Sequence, residues 1–318
     1  FFFFFFFFFF WAVFYILRPV RDAMASDWTN TEISMLWNIQ FFLSLIFVAI
    51  YGVAVSRIKF RYLVPTVYGF FAVSFFLFYA SSDLVVNQVL LDKGFYLWVS
   101  LFSLFHVSVF WSLMADLYHT EQSKRLFGFI AVGASAGAIV GPLVAAIAVN
   151  ITGSSALMLW ASLLMLFPLP IIFYLQYLKV SELHNSGIEI NLSSMRIGGN
   201  PLTGFKSFFT SPYLIGIAAF ILLYTAISSF AYFEQTNLLR GYTRDERTEI
   251  LALLALVVNF LTFILGFFAT GRLASRFGMP ATLAIVPLVM CAALLILAFA
   301  PILSILLALQ VVRQAGNY

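Results

Sequence analysis

Charge is scarce in this chain: Asp, Glu, Lys and Arg together make up 9% of its 318 residues. A soluble globular domain carries about a quarter, so that class is excluded. A single cysteine, Cys291, lies inside an apolar run, which excludes a disulfide framework and a cysteine-based metal site and leaves a small buried hydrophobe. Also missing are the glycine-rich Gly-x-x-x-x-Gly-Lys-Ser/Thr phosphate loop, His-Glu-x-x-His and the Gly-x-Ser-x-Gly elbow. The sequence therefore offers no case for an enzyme, a resident metal or a cofactor.

What is present is apolar. Hydrophobic residues make up 63% and aromatics 19%, with a mean hydropathy of +1.02. The pI of about 9.2 does not point to nucleic acid, because the few cations sit in short loops, where orientation in a bilayer accounts for them. Membrane lipids are the expected surroundings. The chain opens with ten phenylalanines and no basic leader, so this run does not read as a signal peptide; it stands in for the first turns of a span ending near 25. Further runs at roughly 34–55, 63–80, 95–115, 126–150, 155–178, 212–234, 250–270, 279–299 and 301–318 approach spanning length. They are continuously apolar rather than alternating, so helices are implied rather than barrel strands. The expected class is all-α, a polytopic helical bundle with about ten spans.

Two basic loops share one spacing, Arg57-x3-Arg61-x3-Pro65 and Arg272-x3-Arg276-x3-Pro280. A weak internal repeat of this kind marks carriers whose halves rock against one another. The long polar segment 181–210 then divides a six-helix half, 1–180, from an incomplete second half, 211–318, with about two spans expected beyond the C-terminal end. Sorting loops alternately places Arg57, Lys59, Arg61, Lys124, Arg125, Lys179, Arg196, Lys206, Arg272, Arg276 and Arg313 on one side. That side is expected to be cytoplasmic, with the N-terminus and the 181–210 linker. The four loop arginines either gate the halves or simply hold the loops at the headgroups.

Charges inside spans are the sharper signal, since an Arg or Asp at mid-bilayer costs about 2.5–3.5 kcal/mol on insertion scales. Arg18, Arg21 and Asp22 fit that description, or else sit at the headgroup boundary. Asp22 is four residues after Arg18, so the two are expected to pair, with Pro19 relaxing the helix and Arg21 left freer to hold an anion. His106, in the fourth span, is either a proton relay or a hydrogen-bonded structural residue. Asn38, Gln40, Asn259, Thr262 and Gln310 line a cavity or bond between helices. Gly133, Gly137 and Gly141, followed by Pro142, place small residues on one helix face for close backbone contact.

The six-plus-six plan, the central linker and the loop Gly271-Arg272-Leu273-Ala274-Ser275-Arg276-Phe277-Gly278 resemble the major facilitator superfamily, whose loop motif reads Gly-x-x-x-Asp-Arg-x-Gly-Arg-Arg; the acid is lacking here. Gly141-Pro142 resembles that superfamily's antiporter motif. Tyr15-Ile16-Leu17-Arg18-Pro19-Val20-Arg21-Asp22 is similar to the first-span signature of the ATP/ADP carriers of plastids and intracellular bacteria, with Arg21 in place of a Lys. Phe110-Trp111, Ala115-Asp116 and Glu121-Gln122-Ser123-Lys124-Arg125-Leu126-Phe127-Gly128 resemble a second stretch of those carriers. Tyr224 to Leu239, with Glu234 but Asn237 in place of a Lys, resembles a third.

The resemblance implies exchange of nucleotides such as ATP and ADP, or of another anionic solute, across an inner or plasma membrane. Arg18, Arg21, Glu121 and Glu234 would then contact the solute. Asp22, His106, Asp116, Lys124, Arg125, Arg57, Arg61, Arg272 and Arg276 would serve gating or proton movement. Two alternatives stay open: a proton-coupled exporter of small organic molecules using His106 and Asp22, and a non-transporting sensor or scaffold that keeps the fold.

Overall fold

Hydrocarbon offers no partner to backbone N–H and C=O groups, so a chain this apolar must satisfy them within each segment. The computed structural model does so with helices alone; no strand occurs among the described residues. Those residues are 2–57, 60–82, 84–117, 120–181, 209–299 and 302–315, excluding the side chains at 2, 3, 55–57, 60, 61, 110–117, 120–130, 175–181 and several between 267 and 287. The helices are α1 (Phe2–Ala25), α2 (Asn30–Arg57), α3 (Phe60–Ser81), α4 (Gln88–Leu117), α5 (Thr120–Leu166) and α6 (Pro168–Ser181). After the linker come α7 (Pro212–Leu239), α8 (Arg244–Ile264), a π-helical turn at Leu265–Ala269, α9 (Thr270–Phe299) and α10 (Leu303–Ala315). Six stretches among the described residues are long and apolar enough to cross a membrane: Phe4–Ala25, Asn30–Ala54, Tyr62–Ser81, Ala131–Tyr174, Pro212–Leu239 and Arg244–Ile264.

Two of the long helices are broken by glycine. Gly153 in α5 and Gly278 in α9 each have φ of 78°, a region that L side chains rarely adopt. The breaks fall where the hydropathy runs part, between 150 and 155 and between 270 and 279. The segment beginning at Ser154 has its first backbone N–H bonded to Asp245 Oδ1 at 2.8 Å, which satisfies a donor left open at a helix start.

α2 and α8 begin with the same device. Thr29 N donates to Glu32 Oε2 at 2.9 Å while Glu32 N donates to Thr29 Oγ1 at 3.2 Å. Thr243 N donates to Glu246 Oε2 at 2.8 Å, and Glu246 N returns to Thr243 Oγ1 at 3.4 Å. Each is a Thr-x-x-Glu capping box. They sit at matching places, each shortly after the helix that opens one part of the chain, and nearly the same offset separates the two basic loops. The capping boxes and the sequence loops thus recur at nearly the same separation.

α1 is the central element, packed against α5, α4, α6, α7 and α8. Its largest contact is with α5, along the glycine face read from sequence. A Cβ placed on Gly141 would lie 2.6 Å from the Ala12 carbonyl oxygen, and one on Gly133 would lie 2.7 Å from that of Phe4. These are backbone atoms that cannot swing aside. α8 packs on α1 and α5, and α10 joins α7, α8 and α9. Gly141→Val should therefore lower the thermal midpoint of the detergent-solubilised protein, by about 1–3 kcal/mol of overpacking. Gly216→Ala, where a Cβ meets nothing within 4 Å, should leave it unchanged or higher.

Candidate functional site

The C-terminal third of α1 carries three charges, Arg18 and Asp22 on one face and Arg21 beside them, and packing decides what each meets. Asp22 is buried at 6% exposure. Its Oδ1 accepts from Arg21 Nε at 2.9 Å, from Arg21 Nη2 at 2.7 Å and from the Tyr232 hydroxyl at 3.3 Å. Arg18 Nε is 3.7 Å from Oδ2. The expected division of labour, Arg18 on Asp22 with Arg21 left freer, is thus reversed in emphasis: the shorter bonds belong to Arg21. A side chain one residue away reaches Asp22 because α1 turns both toward α4 and α7. Arg21 also donates to Ser100 Oγ at 3.3 Å and lies over the Tyr96 ring, 5.5 Å from its centroid, a favourable cation–π placement.

From Asp22 a polar chain crosses four helices. Trp37 Nε1 on α2 donates to the Tyr96 hydroxyl of α4 at 2.8 Å. That hydroxyl is 3.3 Å from the Tyr232 hydroxyl of α7, which reaches Asp22. Trp37, Tyr96 and Tyr232 wall a cavity of about 300 Å³, together with Arg21, Ser100, Thr225, Ser228, Ser229 and Arg313. A smaller cavity of about 30 Å³ lies on the other side of Asp22, between Arg18, Pro19, Gln235, Leu251, Leu254, Ala255 and Gln314.

The hydroxyls are turned to accept. Ser100 Oγ donates to the Tyr96 carbonyl at 2.7 Å and Ser228 Oγ to the Tyr224 carbonyl at 2.8 Å, each one turn back along its own helix. A serine has one hydrogen to give, so its oxygen is left to receive from a guanidinium. Ser100 serves Arg21 in this way, and Ser228 serves Arg313 Nη1 at 2.8 Å.

Arg313 was counted from sequence among the cytoplasmic loop cations; the structure corrects this and puts it in the cavity wall. The signal lay in its spacing, one turn beyond Gln310 on an apolar helix, where a loop cation has no need of a polar partner. Trp37, Tyr96 and Tyr232 were missed because they are three aromatics in a chain with 60 such residues.

The other expected residues distribute as follows. Thr225, Ser228, Ser229 and Tyr232 recur on one face of α7, and Glu234, two residues past Tyr232, is turned away; it lines neither of these cavities. His106 is buried among Phe10, Trp11, Phe14 and Phe102. Among the described residues neither of its ring nitrogens has a hydrogen-bond partner, so the hydrogen-bonded structural His is not what is found. Arg272 and Arg276 are exposed. The side chains of Arg57, Arg61, Asp116, Glu121, Lys124 and Arg125 lie outside the described residues. Asn259 bonds between helices, Nδ2 to the Ala138 carbonyl at 2.8 Å.

Beyond the cavity, the turn after α1 is latched to the turn after α7. Arg244 Nη2 bridges Asp27 Oδ2 at 2.9 Å and Asp92 Oδ2 at 2.7 Å, and Arg247 Nη1 meets Asp27 Oδ1 at 2.5 Å. Arg240 Nη2 holds the Trp28 carbonyl at 2.6 Å. Arg247, at 7% exposure, also donates to the carbonyls of Tyr242 at 2.7 Å and Arg240 at 3.0 Å. At 1.5 Å per residue this latch stands about 9–12 Å along α1 and α7 from Arg21 and Tyr232. Burial pushes the Asp27 carboxyl up, but the hydrogen bonds from Arg247 and Arg244 outweigh it and hold it below its ordinary value. The folded pKa is depressed, so the stabilisation is fully present above the unfolded value and is lost only as pH falls through the folded one. The Asp27 pairs of the latch are therefore present at neutral pH, while burial pushes the Asp92 carboxyl above its ordinary value.

A sequence model of the Major Facilitator Superfamily matches residues 1–314. No individual curated protein matches the chain.

Asp27→Asn removes the charge that both arginines share. With Cys291→Ser as background and Thr225→Cys as reporter in the cavity wall, the variant should react several-fold faster with an impermeant thiol reagent added on the latch side.

Proposed function

Because this chain belongs to the Major Facilitator Superfamily, it is a secondary membrane transporter, and we propose that it carries an anionic solute by exchange, with nucleotides as the specific class. The observation that carries this reading is the charge of the cavity walls. Arg18, Arg21 and Arg313 line the two cavities against one carboxylate, Asp22, an excess of positive charge held on the apolar helices α1 and α10. Isolated charge on such helices is costly, and an anionic solute is what lowers the cost. Guanidinium forks suit phosphate and carboxylate oxygens, and a cavity of about 300 Å³ falls at the lower end of small-molecule sites. Trp37, Tyr96 and Tyr232 supply flat apolar faces beside the arginines, as a base would need. The resemblance of Tyr15 to Asp22 to the ATP/ADP carriers narrows the anion to a nucleotide.

The mechanism follows from the latch. Transport by alternating access needs a central site closed on one side at a time. Here α1–α6 act as one half and α7–α10 as the other, with the 181–210 segment between them. The breaks at Gly153 and Gly278, together with α4 and α10, bring the proposed number of spans to ten. The latch joins the α1–α2 turn to the α7–α8 turn and so shuts one side. On the positive-inside pattern that side is the outer one, the N-terminus being cytoplasmic. Solute binding at Arg21 competes with Asp22 for the same guanidinium. Releasing Asp22 also releases Tyr232, the hydroxyl that ties α1 to α7.

The test uses the full-length protein in liposomes loaded with unlabelled ATP or ADP. Uptake of labelled ATP should require the internal load, and Arg21→Gln should cut the rate by about tenfold or more, since a charged hydrogen bond is worth about 1.5–3 kcal/mol. Uptake of other anions without nucleotide uptake would sink the nucleotide assignment and leave the anion carrier standing. Flux of neutral or cationic compounds that survives Arg21→Gln would favour the exporter instead.

A further inference from the structure

Arg313 lines the larger cavity, and among the described residues its guanidinium meets no carboxylate. Its Nε and Nη2 both donate to Gln310 Oε1, at 2.9 and 2.7 Å, and its Nη1 donates to Ser228 Oγ. The Tyr224 phenol is also beside it. All of these are neutral oxygens. Among the described residues no carboxylate forms an ion pair with Arg313, whereas Arg18, Arg21, Arg244 and Arg247 each have one. Arg18 is near enough to add repulsion. The cation is therefore anchored in direction and left uncompensated in charge, at the wall of a cavity.

The anchor is itself held. Gln310 is 2% exposed and Gln235 4%, and Gln310 Nε2 donates to Gln235 Oε1 at 3.0 Å. An amide has one acceptor end and one donor end. Gln235 of α7 takes the donor end, which turns the acceptor end of Gln310 toward Arg313. Gln314 Nε2 points to the same oxygen at 3.3 Å. A fork that would otherwise sweep several rotamers is locked in the wall of the cavity that Arg21 also lines.

We propose that Arg313 is the second anion contact of the transporter, that Gln310 and Gln235 are its positioning residues, and that the solute class is therefore one carrying at least two negative charges spaced to reach both Arg21 and Arg313. One arginine comes from the first half of the chain and one from the second, so such a solute ties the halves together, and a monoanion does not. The proposal rests on the anion-carrier reading above and sharpens it.

The experiment is anion binding to the purified full-length protein by calorimetry, with inorganic pyrophosphate as the polyanion and methanesulfonate as the monoanion, each variant being checked by thermal melting. Wild type should bind pyrophosphate more tightly. Arg313→Gln should weaken pyrophosphate by about tenfold or more and leave methanesulfonate within about twofold; Arg313→Lys should recover part of the loss, as a charge without the fork. Gln310→Leu should weaken pyrophosphate in the wild-type background and add nothing on top of Arg313→Gln, the non-additivity of residues acting as one unit. If Arg21→Gln abolishes pyrophosphate binding while Arg313→Gln leaves it unchanged, the Arg313 assignment fails and the anion carrier stands. Additive losses at Gln310 and Arg313 would overturn the positioning role. A folded wild type that binds neither anion overturns the anion reading and this inference with it.

Discussion

Close backbone contact between α1 and α5 is the constraint on which the site depends. Three glycines at four-residue spacing let α5 approach α1 to distances no side chain would permit, and the peptide groups of Phe4 and Ala12 fill the space. In a bilayer such packing replaces the hydrophobic drive that operates between helices in water. With one flank sealed against α5, the other flanks of α1 turn toward α4, α7 and α8. Those flanks carry Arg18, Arg21 and Asp22. Asp22 is buried, and Arg18 and Arg21 half-buried beside it, because the apolar, glycine-matched side of the same helix is committed elsewhere.

Electrostatics then sets the cost of leaving the cavity empty. A buried charge is tolerated where a partner and hydrogen bonds replace water. Asp22 performs that service for Arg21 and in part for Arg18, and nothing among the described residues performs it for Arg313. The tyrosine pair adds direction to this arrangement. Tyr232 reaches Asp22 and also faces Tyr96, so a change at Asp22 is felt in α7 and α4 as well as α1. The site is a set of competing partners for one guanidinium, a condition under which an incoming anion can alter helix contacts without large displacement.

Much of this was legible in the residues. The helical class follows from continuous apolar runs, and Gly153 and Gly278 break the helices where those runs part. Arg18, Arg21 and Asp22 stood out because charge is rare in spans, and Gly133, Gly137 and Gly141 because of their spacing. Arg313 was hidden by the counting of loop cations: a charge near the end of an apolar run reads as a headgroup anchor until its neighbours in space are known. Glu234 was placed with Arg21 by the resemblance of the Tyr224 to Leu239 stretch, yet a helix turns about 100° per residue, and two positions past Tyr232 it lines neither cavity. Trp37, Tyr96 and Tyr232 were illegible for the opposite reason, since nothing local distinguishes three cavity aromatics from the many that meet lipid.

The latch draws these parts together. The two Thr-x-x-Glu capping boxes start α2 and α8, and the latch runs beside them, from Asp27 and Trp28 in the turn before α2 to Arg240 at the end of α7 and Arg244 and Arg247 in the first turns of α8. One place is acidic and the other basic. If both carried the same charge, they would repel where they now meet. Complementary charge explains why the latch joins these two places: Asp27 receives what Arg244 and Arg247 supply, and the capping boxes beside them hold the helix starts in position to do so.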